Sequence, residues 1–342
     1  MLIKKNKIPV LEMVLVGFLP SFFKKNLYRL RGYKIGKNVR IGLGSVIIGK
    51  DVNIGDNSKI GYISVIRARK IDIRRFVTIG SLTMIDTESI LIDDDARINE
   101  NVIVGGQKTP DSFFKLGKRA IIMEYSFINP TKPIEIGDDS GIGGHCLLFT
   151  HGSWLNQLDG FPVTFSKITI GDRVWLPWRV FIMPGVTIGN DVVIGANSLI
   201  SNKLPSNVLA AGSPAKIIKE NYPNKITEEK REETIVKILQ EFIAYIKYNQ
   251  FNVEEFKIEN GTRINISNSR KKHIMCYLNS NSSNTILTQK FDLLLTDNTN
   301  HNKIKSKMIL NLRLKTRIGK SEIGEELARY LSRHGIRFNR LD

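Results

Sequence analysis

Two histidines six residues apart, His145 and His151, have the side chains with the clearest chemical use in this 342-residue chain. An imidazole titrates near neutral pH, so it can take the proton from an attacking hydroxyl group under physiological conditions. His151 follows an apolar run and opens a polar stretch that mixes aromatic rings with hydrogen-bonding groups: Trp154, Asn156, Asp159 and Phe161. This stretch predicts either a carbohydrate site beside His151 or a loop that contacts another subunit.

Aliphatic residues recur every six positions on both sides of His151. They are Ile136, Ile142 and Leu148 before it, and Ile170, Leu176, Ile182, Ile188, Ile194 and Ile200 after it. A period of six fits neither an amphipathic helix nor an alternating strand. It indicates a hexapeptide solenoid, in which each short strand and its corner form one side of a triangular prism. The same period begins at Ile35, with steps of seven near Ile48 and Ile73, and predicts roughly eight or nine coils of about eighteen residues between 35 and 218.

Composition agrees with a globular protein, since 42% of the residues are apolar and 25% are charged. We expect many of the 27 glycines to form the corners, because glycine adopts positive φ at little cost. The only two cysteines, Cys146 and Cys276, lie far apart in dissimilar contexts. A disulfide framework is therefore not expected, and a reducing, cytoplasmic compartment is predicted.

The net charge of +18 is concentrated at the two ends of the chain. Residues 1–40 contain ten Lys or Arg against Glu12, and residues 301–342 contain eleven against four acids. The apolar stretch Ile8–Phe23 is shorter than the ~20 residues that span a bilayer, and predicts an uncleaved helix. This helix either packs on the solenoid or lies at an anionic membrane surface, which would place the protein at the inner face of the cell membrane. The sequence lacks the alternation of basic and aromatic residues that would suggest nucleic-acid binding.

The repeat pattern divides the chain into three parts. Residues 1–34 are predicted to be an N-terminal helical segment, 35–220 the β-helix, and 221–342 a small α+β domain of unknown role. In the last part Thr227 is expected to cap a helix, and a second helix is expected from about Lys320. Alternating runs at Arg263–Ser267, Ile286–Leu295 and Met308–Ile318 predict strands.

An ordered set of motifs identifies the family that this chain resembles. The motifs are Thr150-His151, Val174-Trp175, Met183-Pro184-Gly185-Val186, Ile194-Gly195-Ala196-Asn197-Ser198 and Ala210-Ala211-Gly212-Ser213-Pro214-Ala215-Lys216. Together they resemble the hexapeptide-repeat acyltransferases, and most of all the sugar and polysaccharide O-acetyltransferases. The resemblance covers roughly 30–220. It implies a mainly β fold, a left-handed parallel β-helix, and a homotrimer that holds acetyl-CoA in the groove between neighbouring prisms.

The resemblance also implies roles for individual residues. His151 matches the catalytic histidine, which acts as general base. The positions expected to bind acetyl-CoA are Trp175, Trp178, Ala196, Ser201, Asn202, Lys216 and Lys219. Trp178 lies in Pro177-Trp178-Arg179, where the family has small residues, so it is expected either to stack on the donor or to pack between subunits. The expected acceptor-binding residues are Glu124, Asn129, His145, Trp154 and Asp159.

The sequence leaves two other functions open, and it also bears on a metal site. The alternatives are an N-acetyltransferase of an amino-sugar nucleotide and a non-catalytic solenoid scaffold. Some trimeric hexapeptide proteins bind zinc, but such a site needs three histidines from two chains. The predicted solenoid has only His145 and His151, so no metal is expected.

Overall fold

The structure is a computed structural model that describes residues 10–152, 155–258, 260–280, 290–299 and 305–341. It divides into two compact units, Met1–Asn224 and Lys225–Asp342. Each unit has its own buried core, and each is described separately below.

The first unit is a parallel β-helix with three sheets, one along each side of the prism. The first sheet has the strands Lys34–Ile35, Asp51–Ile54, Lys70–Ile73, Ser89–Ile92, Phe113–Leu116, Ile134–Ile136, Ile168–Ile170 and Thr187–Ile188. The second has Arg40–Ile41, Lys59–Ile60, Thr78–Ile79, Arg97–Ile98, Ile121–Ile122, Gly141–Ile142, Trp175–Leu176, Val193–Ile194, Val208–Gly212 and Ala215–Glu220. The third has Val46–Ile48, Val65–Arg67, Met84–Asp86, Ile103–Gly105, Phe127–Asn129, Leu147–Phe149, Phe181–Ile182 and Leu199–Ile200. The described residues thus form eight complete coils, and Ala215–Glu220 closes the end as the one antiparallel strand of the second sheet.

The strand register explains the mixed steps of six and seven in the sequence. In the first coils, paired isoleucines of the first sheet are nineteen residues apart, as in Ile35 with Ile54 and Ile54 with Ile73. Near the end they are eighteen apart, as in Ile170 with Ile188. The steps of seven therefore arise because each early coil regularly contains one extra residue. The inward residues of the three sheets are fully buried in one continuous aliphatic stack, which is why the period is so strongly marked.

Glycine has a different role in this helix from the one the sequence suggested. Most residues with positive φ at the corners are not glycine, and His145 (φ 57°) and Asn197 (φ 58°) are examples. Glycine instead occurs where the next coil passes very close: a Cβ on Gly143 would lie 2.6 Å from the carbonyl carbon of Pro177. Close approach of the backbone, rather than positive φ, selects glycine at such positions.

The open N-terminal end of the prism is covered by the helix Ser21–Leu30. Side chains of this helix satisfy backbone groups of the first coil: Ile41 N donates to Ser21 Oγ (3.0 Å), Ile47 N donates to Tyr28 Oη (3.0 Å), and Lys24 Nζ donates to Ser45 O (3.0 Å). The single helix predicted from Ile8–Phe23 is wrong. A short helix Val10–Glu12 and a π-helix Met13–Gly17 precede a break at Pro20, which cannot continue a helix. No helix among the described residues is long and apolar enough to cross a membrane.

The second unit packs two helices, Glu228–Tyr248 and Glu322–Ser332, with a seven-stranded mixed sheet. Its strands are Asn252–Ile258, Gly261–Ser267, Lys272–Leu278, Leu293–Thr296, Met308–Asn311, Thr316–Gly319 and Asn339–Arg340. Thr227 Oγ1 accepts a hydrogen bond from Lys230 N, as its predicted cap role requires. The strand predicted over Met308–Ile318 is two strands joined by a turn, and part of the run Ile286–Leu295 lies outside the described residues.

Candidate active site

His151 lies where the chain leaves the prism. The third-sheet strand Leu147–Phe149 ends just before it, and His151–Gly152 then pairs antiparallel with Thr164–Phe165. Ser166 N donates to Thr150 O (2.9 Å), which closes the base of this excursion. We call residues 151–167 the arm, and His151 is its first residue.

Thr150 fixes the backbone on which His151 is carried. Its side chain is fully buried, and its Oγ1 donates to Asn129 O (2.8 Å) and accepts from Lys132 N (2.9 Å). Both partners belong to the preceding coil, so the position of His151 is tied to the stacked coils and not to the arm alone. A functional side chain held by regular structure in this way keeps its geometry better than one on a free loop.

Two phenyl rings flank the imidazole. The rings of His151 and Phe165 stack with centroids 5.8 Å apart and planes inclined by 14°, and the Phe149 centroid lies 6.1 Å away. The His151 Nδ1 atom is buried and has no hydrogen-bond partner among the described residues. The residue as a whole is partly exposed, and the buried Nδ1 is not part of its accessible surface. Nε2 is therefore the nitrogen that can meet a substrate.

A polar shelf from two earlier coils lies below Thr150. Asn129 Oδ1 accepts from Thr131 Oγ1 (2.8 Å), and Thr131 Oγ1 accepts from Gln107 N (3.1 Å). Gly106 approaches so closely that a Cβ there would collide with Asn129 Oδ1. Asn129 is 6% exposed, so its amide is mostly used within this shelf.

The structure separates the predicted acceptor residues. Asn129 lies at the corner of His151, whereas Glu124 and His145 lie at the opposite end of the same prism side, where His145 N donates to Glu124 O (3.1 Å). Six residues of extended chain place these two corners roughly 20 Å apart. Within one chain, Glu124 and His145 therefore do not belong to the same pocket as His151. Asp159 is exposed in a short 3₁₀-helix on the arm, Gln157–Asp159, and Trp154 lies outside the described residues.

Three aromatic rings line the corner at His145. The rings of Tyr125 and His145 stack at 5.1 Å, and that of Trp178 follows at 5.8 Å from His145. Trp178 remains 50% exposed, and its ring covers Gly144, where a Cβ would lie 2.8 Å from Cε3. The exposed indole face agrees with either of the roles expected for it, stacking on a donor or packing between subunits.

Several of the predicted donor-binding residues follow one line across the second sheet. Trp175 pairs with Val193, Val193 pairs with Leu209, and Leu209 pairs with Lys219. At ~4.8 Å per strand, Trp175 and Lys219 are about 14 Å apart. Lys216 and Lys219 are exposed on the closing strand, and Ala196 is exposed at the adjoining corner. This surface has an aromatic end and a cationic end, which fits a long donor that carries phosphates.

The remaining predicted donor residues lie at the other corner. Ser201 and Asn202 follow the strand Leu199–Ile200, which stacks below Phe181–Ile182 and Leu147–Phe149. Both are exposed, two coils beyond Thr150. The residues expected to bind acetyl-CoA thus fall into two groups on different parts of one prism.

Sequence patterns did not identify the residues in direct contact with His151. Phe149 belongs to a row of outward-facing rings with Phe127 (5.2 Å) and Phe181 (5.7 Å). The repeat pattern could have identified these rings, because each is next in sequence to an inward-facing aliphatic residue. Phe165 could not, because only the pairing across the arm brings it to His151.

Two family models and several known proteins match this chain. A model described as bacterial transferase hexapeptide (six repeats) matches residues 167–202, and one described as the hexapeptide repeat of succinyl-transferase matches 33–62. The putative lipopolysaccharide biosynthesis O-acetyl transferase WbbJ of Escherichia coli K12 is 35% identical over 156 residues, 40% of this chain and 80% of that protein. The galactoside O-acetyltransferase of the same organism is 34% identical over 142 residues, 39% of this chain and 68% of that protein. The solved structure of the polySia-specific acetyltransferase NeuO covers 60% of this chain and 97% of its own at 22% identity, with a TM-score of 0.37.

Proposed function

Because this chain belongs to the hexapeptide-repeat acetyltransferases and has their left-handed parallel β-helix, we propose that it transfers the acetyl group of acetyl-CoA to a hydroxyl group of a saccharide. His151 is the general base of this reaction. The observation that carries the proposal is the position of His151: a partly exposed imidazole, fixed to the stacked coils through Thr150, at the mouth of an arm that leaves the prism.

The reaction needs one proton transfer in each direction. The acceptor hydroxyl oxygen attacks the thioester carbonyl carbon while Nε2 of His151 takes the hydroxyl proton. The tetrahedral intermediate then collapses, the carbon–sulfur bond breaks, and the imidazolium returns the proton to the departing sulfur. The products are an acetyl ester and free coenzyme A, and His151 is neutral again. A correctly placed base of this kind contributes typically 10²–10⁴-fold to the rate.

The phenyl rings beside His151 assist by limiting its motion and its contact with water. Phe165 and Phe149 leave the imidazole little freedom to turn. The buried Nδ1 has no hydrogen-bond partner among the described residues. The imidazole is therefore oriented mainly by packing against the two phenyl rings.

The division of the donor-binding residues supports a homotrimer. Ser201 and Asn202 share the corner of His151, whereas Trp178 and the two lysines lie one prism side away. A donor that lies between two chains, in the groove that the family resemblance implies, could touch both groups. There Lys216 and Lys219 would bind the phosphates of coenzyme A and Trp175 would line its pantetheine arm. Exposed apolar side chains on the arm, Leu155, Leu158 and Phe161, support contact with a neighbouring chain.

The proposed acceptor is a cell-surface polysaccharide, a lipopolysaccharide or a lipid-linked precursor. The names of the relatives support this choice, since one is assigned to lipopolysaccharide biosynthesis and another acts on galactosides. An arm with polar groups and rings beside His151 suits a sugar, whose hydroxyls need hydrogen bonds and whose ring faces stack on aromatic side chains.

A donor assay with product analysis tests the proposal. Release of the coenzyme A thiol is followed with acetyl-CoA and a panel of saccharides, and the product is examined for an ester or an amide. We expect acceptor-dependent thiol release and an alkali-labile ester. An amide product would favour an N-acetyltransferase, and no coenzyme A binding by calorimetry at millimolar ligand would favour a scaffold. A stable, fully active monomer in sedimentation would exclude the intersubunit donor site.

A further inference from the structure

The N-terminal segment, residues 10–31, has one face on the prism and one face in solvent. Residues Ser21, Lys24 and Tyr28 of its second helix face the first coil and satisfy backbone groups there. Gly17 O accepts from Gly44 N (2.6 Å), which fastens the first part of the segment, residues 10–17, to the same coil. An ion pair between Glu12 and Arg31 joins the two ends of the segment. The segment is therefore a fixed helical cap on the prism.

The outer face of this cap is apolar. Eight large apolar side chains in the segment are between 58% and 86% exposed: Val10, Leu11, Val14, Leu15, Phe18, Phe22, Phe23 and Leu30. In the first part of the segment, the spacing of the apolar side chains follows one helical face. In the second helix, Phe22, Phe23 and Leu30 fall on the face opposite to Lys24 and Tyr28. Phe22 and Phe23 contact each other edge to face, with centroids 5.6 Å apart.

The cap of a solenoid normally has a polar outer face, the opposite of the arrangement seen here. Terminal caps need a polar outer face to keep the open end of a solenoid in solution. Here the inner face of the cap contains a buried lysine, whereas the outer face exposes three phenyl rings. Contiguous apolar surface of this kind marks an interaction site.

The charge around the cap selects its partner. Residues 1–40 contain ten Lys or Arg and only one acidic residue, Glu12, and that carboxylate is paired with Arg31. Arg29, whose guanidinium donates to Ile35 O (2.8 Å), and Lys34 are exposed in the same stretch of the chain. An apolar helical face bordered by cations is the arrangement that inserts into the interface of an anionic bilayer, where each cation adds to the attraction.

We propose that residues 10–31 are a membrane-docking cap, which seats the end of the β-helix on an anionic lipid surface through Phe18, Phe22 and Phe23. The segment would then combine the two roles predicted for it, since one face packs on the solenoid and the other would meet lipid. The proposal does not depend on the acetyl-transfer reaction.

Co-sedimentation of the full-length protein with vesicles tests the cap. The vesicles are phosphatidylcholine alone, or with about 30 mol% phosphatidylglycerol, at low and high salt. We expect binding to the anionic vesicles, and at least tenfold weaker binding for Phe22→Ser/Phe23→Ser. The matched control, Tyr248→Ser/Leu314→Ser, removes two exposed apolar side chains from the second unit and should bind as the wild type does. No binding of the wild type at low salt, or equal binding by the two variants, would overturn the proposal.

A labelling experiment covers the case in which the double variant does not fold. Cys146 and Cys276 are both buried. A bimane fluorophore attached to the variant Phe18→Cys is therefore expected to label the cap and not these two thiols. Its emission should shift to the blue with anionic vesicles, and a bimane on Tyr248→Cys should not shift. No shift at position 18 would contradict insertion. A change in oligomeric state in Phe22→Ser/Phe23→Ser by sedimentation would show that the face is a protein contact, and would overturn the proposal as well.

Discussion

The His151 imidazole stacks almost parallel on the phenyl ring of Phe165, with 5.8 Å between centroids and 14° between planes. Phe165 reaches this position because Thr164–Phe165 pairs with His151–Gly152 across the base of the arm. The arm therefore orients the imidazole that the prism holds in place.

Removal of the Phe165 ring should lower turnover without loss of folding. We expect Phe165→Ala to reduce kcat about ten- to a hundredfold, because a loosely held imidazole spends less time aligned for proton transfer. Phe165→Tyr keeps the stacked ring and should restore most of the rate. Gln157→Ala, at an exposed polar site on the same arm, is the control for a general effect on the loop. Equal rates in Phe165→Ala and the wild type would show that the stacking has no role in orientation.

Loss of the lysines on the closing strand should weaken donor binding. Lys216→Ala and Lys219→Ala are each expected to raise the KM for acetyl-CoA about tenfold, the usual effect of losing one hydrogen bond to a charged group. Acetyl-pantetheine lacks the nucleotide phosphates, so its KM should not change. Lys203→Ala, also exposed, is the control. A similar increase for both donors would mean that the lysines do not bind phosphate.

Adjacent glycines on the shelf should differ sharply in their tolerance of alanine. Gly106→Ala places a methyl group against Asn129 Oδ1 and should destabilise the β-helix by about 1–3 kcal/mol. Gly105→Ala meets its nearest atom at 3.5 Å, an ordinary contact, and should be nearly neutral. Urea unfolding measures both free energies. Equal midpoints for the two variants would contradict the packing described here.

The buried Lys24 should make the stability of the cap depend on pH. Burial lowers the pKa of Lys24 to about 8 from its usual 10.5. Between these two values the unfolded chain holds a proton that the folded chain has lost, so the free energy of unfolding should rise with pH through this window. Lys24→Met has no such proton. The stability difference between wild type and variant should therefore shift in favour of the wild type by about 2 kcal/mol from pH 8 to pH 10.5. A difference that stays constant would mean that Lys24 keeps its charge when folded.

The prism was predictable because its signal is repeated in every coil. Ile170, Ile182 and Ile188 are visible as a period of six since each fills the same buried place on its side of the stack. The position of His151 followed from the same repeat, at the point where it is interrupted. The nineteen-residue spacing of the early coils was visible only as isolated steps of seven until the register of Ile35 with Ile54 was known.

The surroundings of the site were less predictable, because they depend on contacts between distant residues. Glu124 and His145 were expected to bind the acceptor beside His151, but they lie together at the opposite end of the prism side. Two strands of the second unit lack the alternation of apolar and polar residues by which a strand is predicted. Lys272–Leu278 is mostly buried on both faces, and Asn252–Ile258 is mostly exposed on both.

The most direct test of the central claim is the turnover rate of His151→Ala. Acceptor-dependent thiol release from acetyl-CoA should fall by 10²–10⁴-fold in kcat, the usual contribution of a general base. Coenzyme A binding by calorimetry should be unchanged, which would show that the variant still folds and assembles. Turnover equal to that of the wild type would remove His151 from the mechanism.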